Sequence, residues 1–191
     1  MKEKFLSLYN SSIAREGSKE LLEYLVKSDF FTAPSSTKFH SSYEGGLCEH
    51  SVHVYNRLVN LVENEFGDDY QNHYSLETIA ICALLHDICK INTYVTEYRN
   101  SKVNGEWTQK PYYTVKEKLP YGHGEKSVFI IQNFMRLTAD EAMAINWHMG
   151  GFDDRVKGGS YSISEAFDKF DLCVLLHVAD LQATYLDEER G

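Results

Sequence analysis

Apolar residues recur at the three- and four-residue spacing of an amphipathic helix along most of the chain. Seven stretches share this pattern and are predicted as helices: Phe5 to Ile13, Leu21 to Val26, Val52 to Phe66, Leu76 to Ile91, Glu125 to Phe134, Ala139 to Trp147 and Ser164 to Leu186. Ser75 and Ser164 stand where N-terminal caps are expected. The last stretch is predicted to be the longest helix.

One region, around residues 92–116, breaks the helical pattern. Tyr94 to Tyr98 and Tyr112 to Val115 are rich in β-branched and aromatic residues, and Asn104 and Gly105 lie between them. An Asn-Gly pair between two such runs is typical of a β-hairpin. The sequence therefore predicts an all-α fold, a helical bundle, with a small β-hairpin insertion.

Length and composition limit the class of protein. The 191 residues contain 43% hydrophobic and 25% charged residues, which are ordinary values for a globular protein, and we expect one domain over residues 1–191. No apolar stretch approaches the roughly 20 residues that span a bilayer, and the start, Met1 to Lys4, lacks the apolar core of a signal peptide. We expect a cytoplasmic protein with no membrane partner; the sequence does not indicate its oligomeric state.

Charge is distributed unevenly. The net charge of −9 disfavours general binding to duplex DNA, but the segment from Lys90 to Lys118 carries a local +3. This local charge indicates that the insertion binds an anion. The four cysteines show no CxxC spacing, so we expect reduced, mostly buried thiols.

Histidine and aspartate residues mark the ends of helices or interrupt apolar runs. His86 and Asp87 close an apolar run, but a His-Asp pair alone carries little weight, since about 0.5 such pairs are expected by chance from this composition. Further residues of the same kind stand in comparable positions: His50, His123, His148 and Asp180. Each one alone is more simply a polar side chain satisfied in the core. Together, their nitrogen and oxygen donors suit divalent cations such as Mn, Fe, Co, Ni, Zn or Mg.

In order and context, these residues resemble the HD-domain metal-dependent phosphohydrolases. The ordered pattern H…HD…H…H…D is present, in the contexts GGLCEHSVHV, LLHDICK, YGHGEKS and LLHVADLQA. The resemblance covers most of the chain and extends to the HD domain of bacterial 3′-to-5′ exoribonucleases, although no oligonucleotide-binding domain is recognised beside it. Cys89 stands where many members have glycine, which puts the local loop geometry in question rather than the ligands.

The resemblance implies a site with two divalent metal ions. It makes His50, His86, Asp87 and Asp180 ligands of the first ion, with Asp87 bridging to a second ion held by His123 and His148. Asp87 and Lys90 would be the catalytic residues. The reaction implied is attack of metal-activated water on a phosphoester or phosphoanhydride.

The expected substrate is a small phosphorylated molecule, a nucleotide in particular, with a short single-stranded nucleic acid as the other option. Four side chains are predicted to contact it: Lys90, Tyr94, Tyr121 and His53. Lys90 supplies a cation for phosphate, and the tyrosines offer faces for a base. Two other functions fit the same ligands, an HD-type diiron oxygenase and a catalytically silent nucleotide sensor; oxygen uptake or binding without turnover would distinguish them.

Overall fold

The computed structural model describes residues 1–103 and 105–188, without the side chain of Val103. It confirms a mostly helical fold with a two-stranded antiparallel sheet. The helices are α1 (Lys2–Ser12), α2 (Ser18–Lys27), α3 (Gly46–Phe66), α4 (Tyr70–His73), α5 (Leu76–Leu85), α6 (His123–Gln132), α7 (Ala139–Trp147), α8 (Asp154–Lys157), α9 (Ser162–Lys169) and α10 (Asp171–Gln182). The strands are β1 (Tyr94–Val103) and β2 (Glu106–Val115).

Helices α3, α5, α7 and α10 form the centre of the bundle. Helix α3 packs against α5 and α10, and α10 packs in turn against α7. Helix α5 is buried on every side from Ile79 to Leu85, which explains why its sequence is apolar all round rather than on one face. Ser75 caps this helix as predicted, because its hydroxyl accepts a hydrogen bond from the Thr78 N–H.

The helix predicted over Leu76 to Ile91 ends earlier, at Leu85. Asp87 has φ −107° and ψ 13°, outside the helical range, and a 3₁₀ turn follows at Ile88–Lys90. The apolar pattern continues through Ile88 and Ile91 because both side chains are buried after the turn as well. As a result, His86 and Asp87 lie at a helix end rather than within a helix.

The single long helix predicted over Ser164 to Leu186 is wrong. The backbone is extended at Phe170 (φ −136°, ψ 94°), and this residue separates α9 from α10. The Phe170 side chain packs against the core, which anchors the joint. Helix α9 begins at Ser162, so Ser164 does not cap it, and a π-helical turn at Ala183–Asp187 follows α10. At 21 residues, α3 is longer than either.

The hairpin is longer than the two apolar runs predicted. Its register pairs Tyr94 with Val115 at the base and Val103 with Glu106 at the tip, so a two-residue loop connects the strands. Gly105 has φ +91°, a conformation that favours glycine. Asn104, the other residue of the predicted turn, lies outside the described residues.

All four cysteines are free and buried, as expected. None of the helices within residues 1–103 and 105–188 combines the length and apolar character needed to cross a bilayer.

A buried ion pair joins the turn after α1 to α7. Arg15 Nη1 lies 2.6 Å from Glu141 Oε2, and Glu141 also completes the capping box of α7 with Thr138. Burial alone would raise the pKa of Glu141, but hydrogen bonds from Arg15 and the Thr138 N–H outweigh burial and lower it. The Glu141 side chain has no solvent exposure, whereas that of Arg15 keeps 21%.

We expect Glu141→Ala to lower the free energy of unfolding by about 2–3 kcal/mol, slightly less than for a fully buried ion pair because Arg15 is partly solvated. Urea unfolding at pH 7 measures this. Because folding lowers the pKa of Glu141, its contribution is complete above the unfolded value of about 4.3 and is lost as pH falls through the folded value. The difference between wild type and variant should therefore shrink towards pH 3; an undiminished difference would contradict the assignment.

Candidate metal centre

The six predicted ligands lie together at one end of the bundle. They are His50, His86, Asp87, His123, His148 and Asp180. Most of them stand at helix termini: His86 follows α5, His123 begins α6 and His148 follows α7. His50 lies near the start of α3, and Asp180 lies within α10.

Two glycines allow backbone segments around the cluster to approach each other closely. A Cβ on Gly46 would lie 2.0 Å from the carbonyl oxygen of Ser41, so only glycine fits where the preceding loop crosses the start of α3. A Cβ on Gly124 would lie 2.2 Å from the carbonyl oxygen of Asn146, where α6 crosses α7. These contacts bring His50 and His123 to the centre.

Asp87 lies in the middle of the cluster, with each oxygen facing a different pair of imidazoles. Oδ1 lies 2.7 Å from His123 Nε2 and 3.5 Å from His148 Nε2. Oδ2 lies 3.5 Å from His50 Nε2 and 3.6 Å from His86 Nε2. The carboxylate of Asp87 therefore contacts both halves of the cluster.

Backbone hydrogen bonds define the tautomers of two histidines. Nδ1 of His86 donates to the Ala83 carbonyl at 2.8 Å, and Nδ1 of His148 donates to the Ile145 carbonyl at 2.7 Å. In the neutral rings, Nε2 is then the unprotonated nitrogen, and in both it faces the cluster. The Nε2 atom of His148 is buried and has no hydrogen-bond partner among the described residues. A buried acceptor of this kind calls for a cation or donor.

His50 and His86 face each other through the same nitrogen. Their Nε2 atoms lie 3.1 Å apart, while Nδ1 of His50 is 2.7 Å from a carboxylate oxygen of Glu188. With both Nδ1 atoms donating, two lone pairs would point at each other, so a proton or metal cation must lie between them. Burial would lower the pKa of His50, but hydrogen bonds to Asp180 and Glu188 raise it to about 9. Burial lowers the pKa of His86 to about 3.

The two aspartates of the cluster remain ionised. Burial would raise the pKa of Asp87, but the Lys90 ammonium, 2.5 Å from Oδ2, and the nearby histidines hold it well below its usual range. Asp180, 3.3 Å from His50 Nε2, has its pKa lowered in the same way by His50. Two carboxylates and four imidazoles thus converge, with one nearby lysine.

This donor set fits divalent metal ions. Among the six predicted ligands, three combinations have donor atoms that all lie within 4.8 Å of one another: His50 with His86 and Asp87, His86 with His148 and Asp180, and Asp87 with His123 and His148. Nitrogen and carboxylate donors suit first-row transition metals, and the buried, preoriented Nε2 atoms match the way imidazoles bind them.

Three of the four predicted substrate contacts line space beside the cluster. Lys90 and Tyr94 line a cavity of about 550 Å³ that opens on the centre. They also line an adjoining recess of about 440 Å³, together with Tyr121. His53 is not among the lining residues of either space; it lies behind His50, with Nδ1 3.6 Å from the Glu188 carboxylate.

One contact of the cluster escaped the sequence analysis, and a second involves Cys89, which the sequence had placed beside the site. Glu188 binds His50 from the far end of the chain, and Cys89 Sγ lies 3.5 Å from His123 Nε2. The position of Cys89 after the His-Asp pair already pointed to the site. Glu188 had no such signal, since it belongs to an ordinary acidic run at 187–189.

No family model and no solved structure matches the chain. Over 66 residues the chain is 36% identical to a dihydroneopterin 2′,3′-cyclic phosphate phosphodiesterase from Methanocaldococcus jannaschii. The match covers 33% of this chain and 25% of that protein, so the chain matches only a quarter of its relative's length. The site is thus a buried His/Asp cluster able to hold metal ions, in a chain with a distant phosphodiesterase relative.

Proposed function

We propose that this chain is a metal-dependent phosphohydrolase of the HD superfamily, with residues 1–191 as one catalytic domain. It would cleave phosphoester or phosphoanhydride bonds of a nucleotide or a short single-stranded nucleic acid. The observation that carries the proposal is the central position of Asp87, whose two oxygens face separate pairs of inward-pointing imidazole nitrogens. The phosphodiesterase relative supports the reaction class.

In this proposal the six side chains hold two cations. His50, His86, Asp87 and Asp180 would bind one, and Asp87, His123 and His148 the other. Such ions lower the pKa of a water molecule and neutralise charge on an attacked phosphate. The water oxygen would bond to phosphorus and give up one proton, the bond from phosphorus to the leaving oxygen would break, and the leaving oxygen would take up one proton. No protein nucleophile is needed.

The residues around the centre would bind and orient the substrate. The Lys90 ammonium is suited to a phosphate oxygen, since it contacts Asp87 and lines both spaces beside the centre. Phe39 and Phe152 line the larger cavity with half or more of each side chain exposed, and they offer apolar surface to an organic group. A cyclic phosphodiester is a reasonable first substrate, because the relative's name specifies a 2′,3′-cyclic phosphate.

The test combines metal analysis with an activity panel. Purified protein is stripped of metal, reloaded with Mn²⁺ and assayed with 2′,3′-cyclic nucleotides, cyclic dinucleotides, nucleoside monophosphates and short 3′-labelled oligonucleotides. We expect metal-dependent release of a phosphate-bearing product from at least one class, and His73→Ala, which removes a histidine stacked on Phe66 outside the cluster, should retain it. Oxygen consumption by the iron-loaded protein without phosphoester cleavage would reject hydrolysis in favour of an oxygenase.

A further inference from the structure

A buried carboxylate stands directly behind one of the proposed ligands. Glu188 follows the π-helical turn at Ala183–Asp187, and its side chain has no solvent exposure. One oxygen lies 2.7 Å from His50 Nδ1. The other lies 2.7 Å from His40 Nδ1 and accepts a hydrogen bond of 2.7 Å from the Ser41 hydroxyl. A buried charge is costly unless several donors compensate it, and here they do.

We propose that Glu188 is a positioning residue of the metal centre, whose carboxylate fixes the ring of His50 with Nδ1 protonated and Nε2 directed at the cation site. This inference rests on the proposed function, because it takes His50 as a metal ligand. Hydrogen bonds from outer residues to a ligating histidine orient the ring and increase its basicity. Glu188 would supply that bond from a part of the sequence about 140 residues away.

The local structure of α3 explains why a side chain is needed here. His86 and His148 follow the last turns of their helices, where carbonyl groups lack helical partners, and each ring donates to the carbonyl three residues earlier. His50 lies near the start of α3. The carbonyl three residues before it, that of Leu47, already accepts a hydrogen bond from the Ser51 hydroxyl. The Glu188 carboxylate takes the place of the missing backbone acceptor.

Neighbouring contacts hold Glu188 in place. Asp187 pairs with Arg57, which lies two turns beyond His50 on α3, so the segment is attached to the same helix that carries the ligand. His40, on the second Glu188 oxygen, lines the larger cavity. Glu188 therefore connects three parts of the protein: His40 in the cavity lining, helix α3 with the proposed ligand His50, and the segment after α10.

The test measures metal affinity rather than turnover alone. We expect Glu188→Gln to raise the dissociation constant for Co²⁺, determined on metal-free protein by competition with a chelating dye, by about 10–100-fold. The visible absorption of bound Co²⁺ should change as well, because the His50 ring is reoriented. Glu165→Gln is the matched control. Its carboxylate is exposed on α9 and pairs with Lys169, so the affinity and spectrum of this variant should equal those of wild type.

Two further variants separate this inference from the proposed function. His50→Ala and Asp180→Asn should each weaken Co²⁺ binding; if neither does, the metal centre itself is wrong. If both weaken binding but Glu188→Gln matches wild type in affinity and spectrum, Glu188 has no positioning role. If Glu188→Gln does not fold, the inference can be tested on the wild-type protein. NMR of the protein with diamagnetic Zn²⁺ bound shows which imidazole nitrogen of His50 is protonated. A protonated His50 Nδ1 supports the inference, and a protonated Nε2 overturns it.

Discussion

Asp87→Asn should reduce phosphohydrolase activity more than any other single substitution, with a loss in kcat/KM of at least about 10³-fold, or roughly 4 kcal/mol of transition-state stabilisation. The amide removes the charge that both halves of the cluster share. It also replaces one of the two oxygens by an NH₂ group, which cannot face either imidazole pair as a ligand. We therefore expect bound metal to fall at the same time.

Asp168→Asn provides the control for this substitution. Asp168 is exposed on α9, away from the cluster, so the same chemical change should leave both kcat/KM and metal content unchanged. Activity is measured with the best substrate of the panel, and metal content by elemental analysis of the dialysed protein. Equal turnover by Asp87→Asn and wild type would reject the proposed centre.

Most of the helices were predictable, because a helix that buries one face has apolar residues every three or four positions in the sequence. Helix α7 begins and ends as predicted, since Thr138 and Glu141 cap its start. The joint at Phe170 was not predictable in the same way. Apolar residues continue on both sides of it, and the break follows from how α9 and α10 pack in three dimensions.

The residues of the cluster could be predicted from the sequence, but the Glu188 side chain that binds one of them could not. Its six members carry a recognisable order in the sequence, and the fold brings all six together. Glu188 could not be found in that way, because a carboxylate that binds an imidazole has no fixed spacing from it. His53 illustrates the opposite case. It lies three residues after His50 on the same helix, yet its ring lies beside Glu188 rather than at the cavity.

Two interpretations of Lys90 follow from its position. Its ammonium pairs with Asp87 Oδ2 and lines both spaces beside the centre. Burial alone would lower the pKa of Lys90, but the Asp87 carboxylate raises it above the usual value, so the side chain is charged at neutral pH. The ammonium either only neutralises Asp87 or also binds a phosphate oxygen. If Asp87 holds a cation as proposed, the Lys90 ammonium would be available to a phosphate oxygen.

Lys90→Met should separate the two interpretations. If Lys90 binds phosphate, kcat/KM falls by about 10²-fold, the loss typical of removing one preorganised donor, and inorganic phosphate inhibits the variant less strongly than wild type. If Lys90 only neutralises Asp87, metal affinity and the urea midpoint change while the inhibition constant of phosphate does not. The inhibition constant is therefore the deciding measurement, since only direct contact with the anion links it to this side chain.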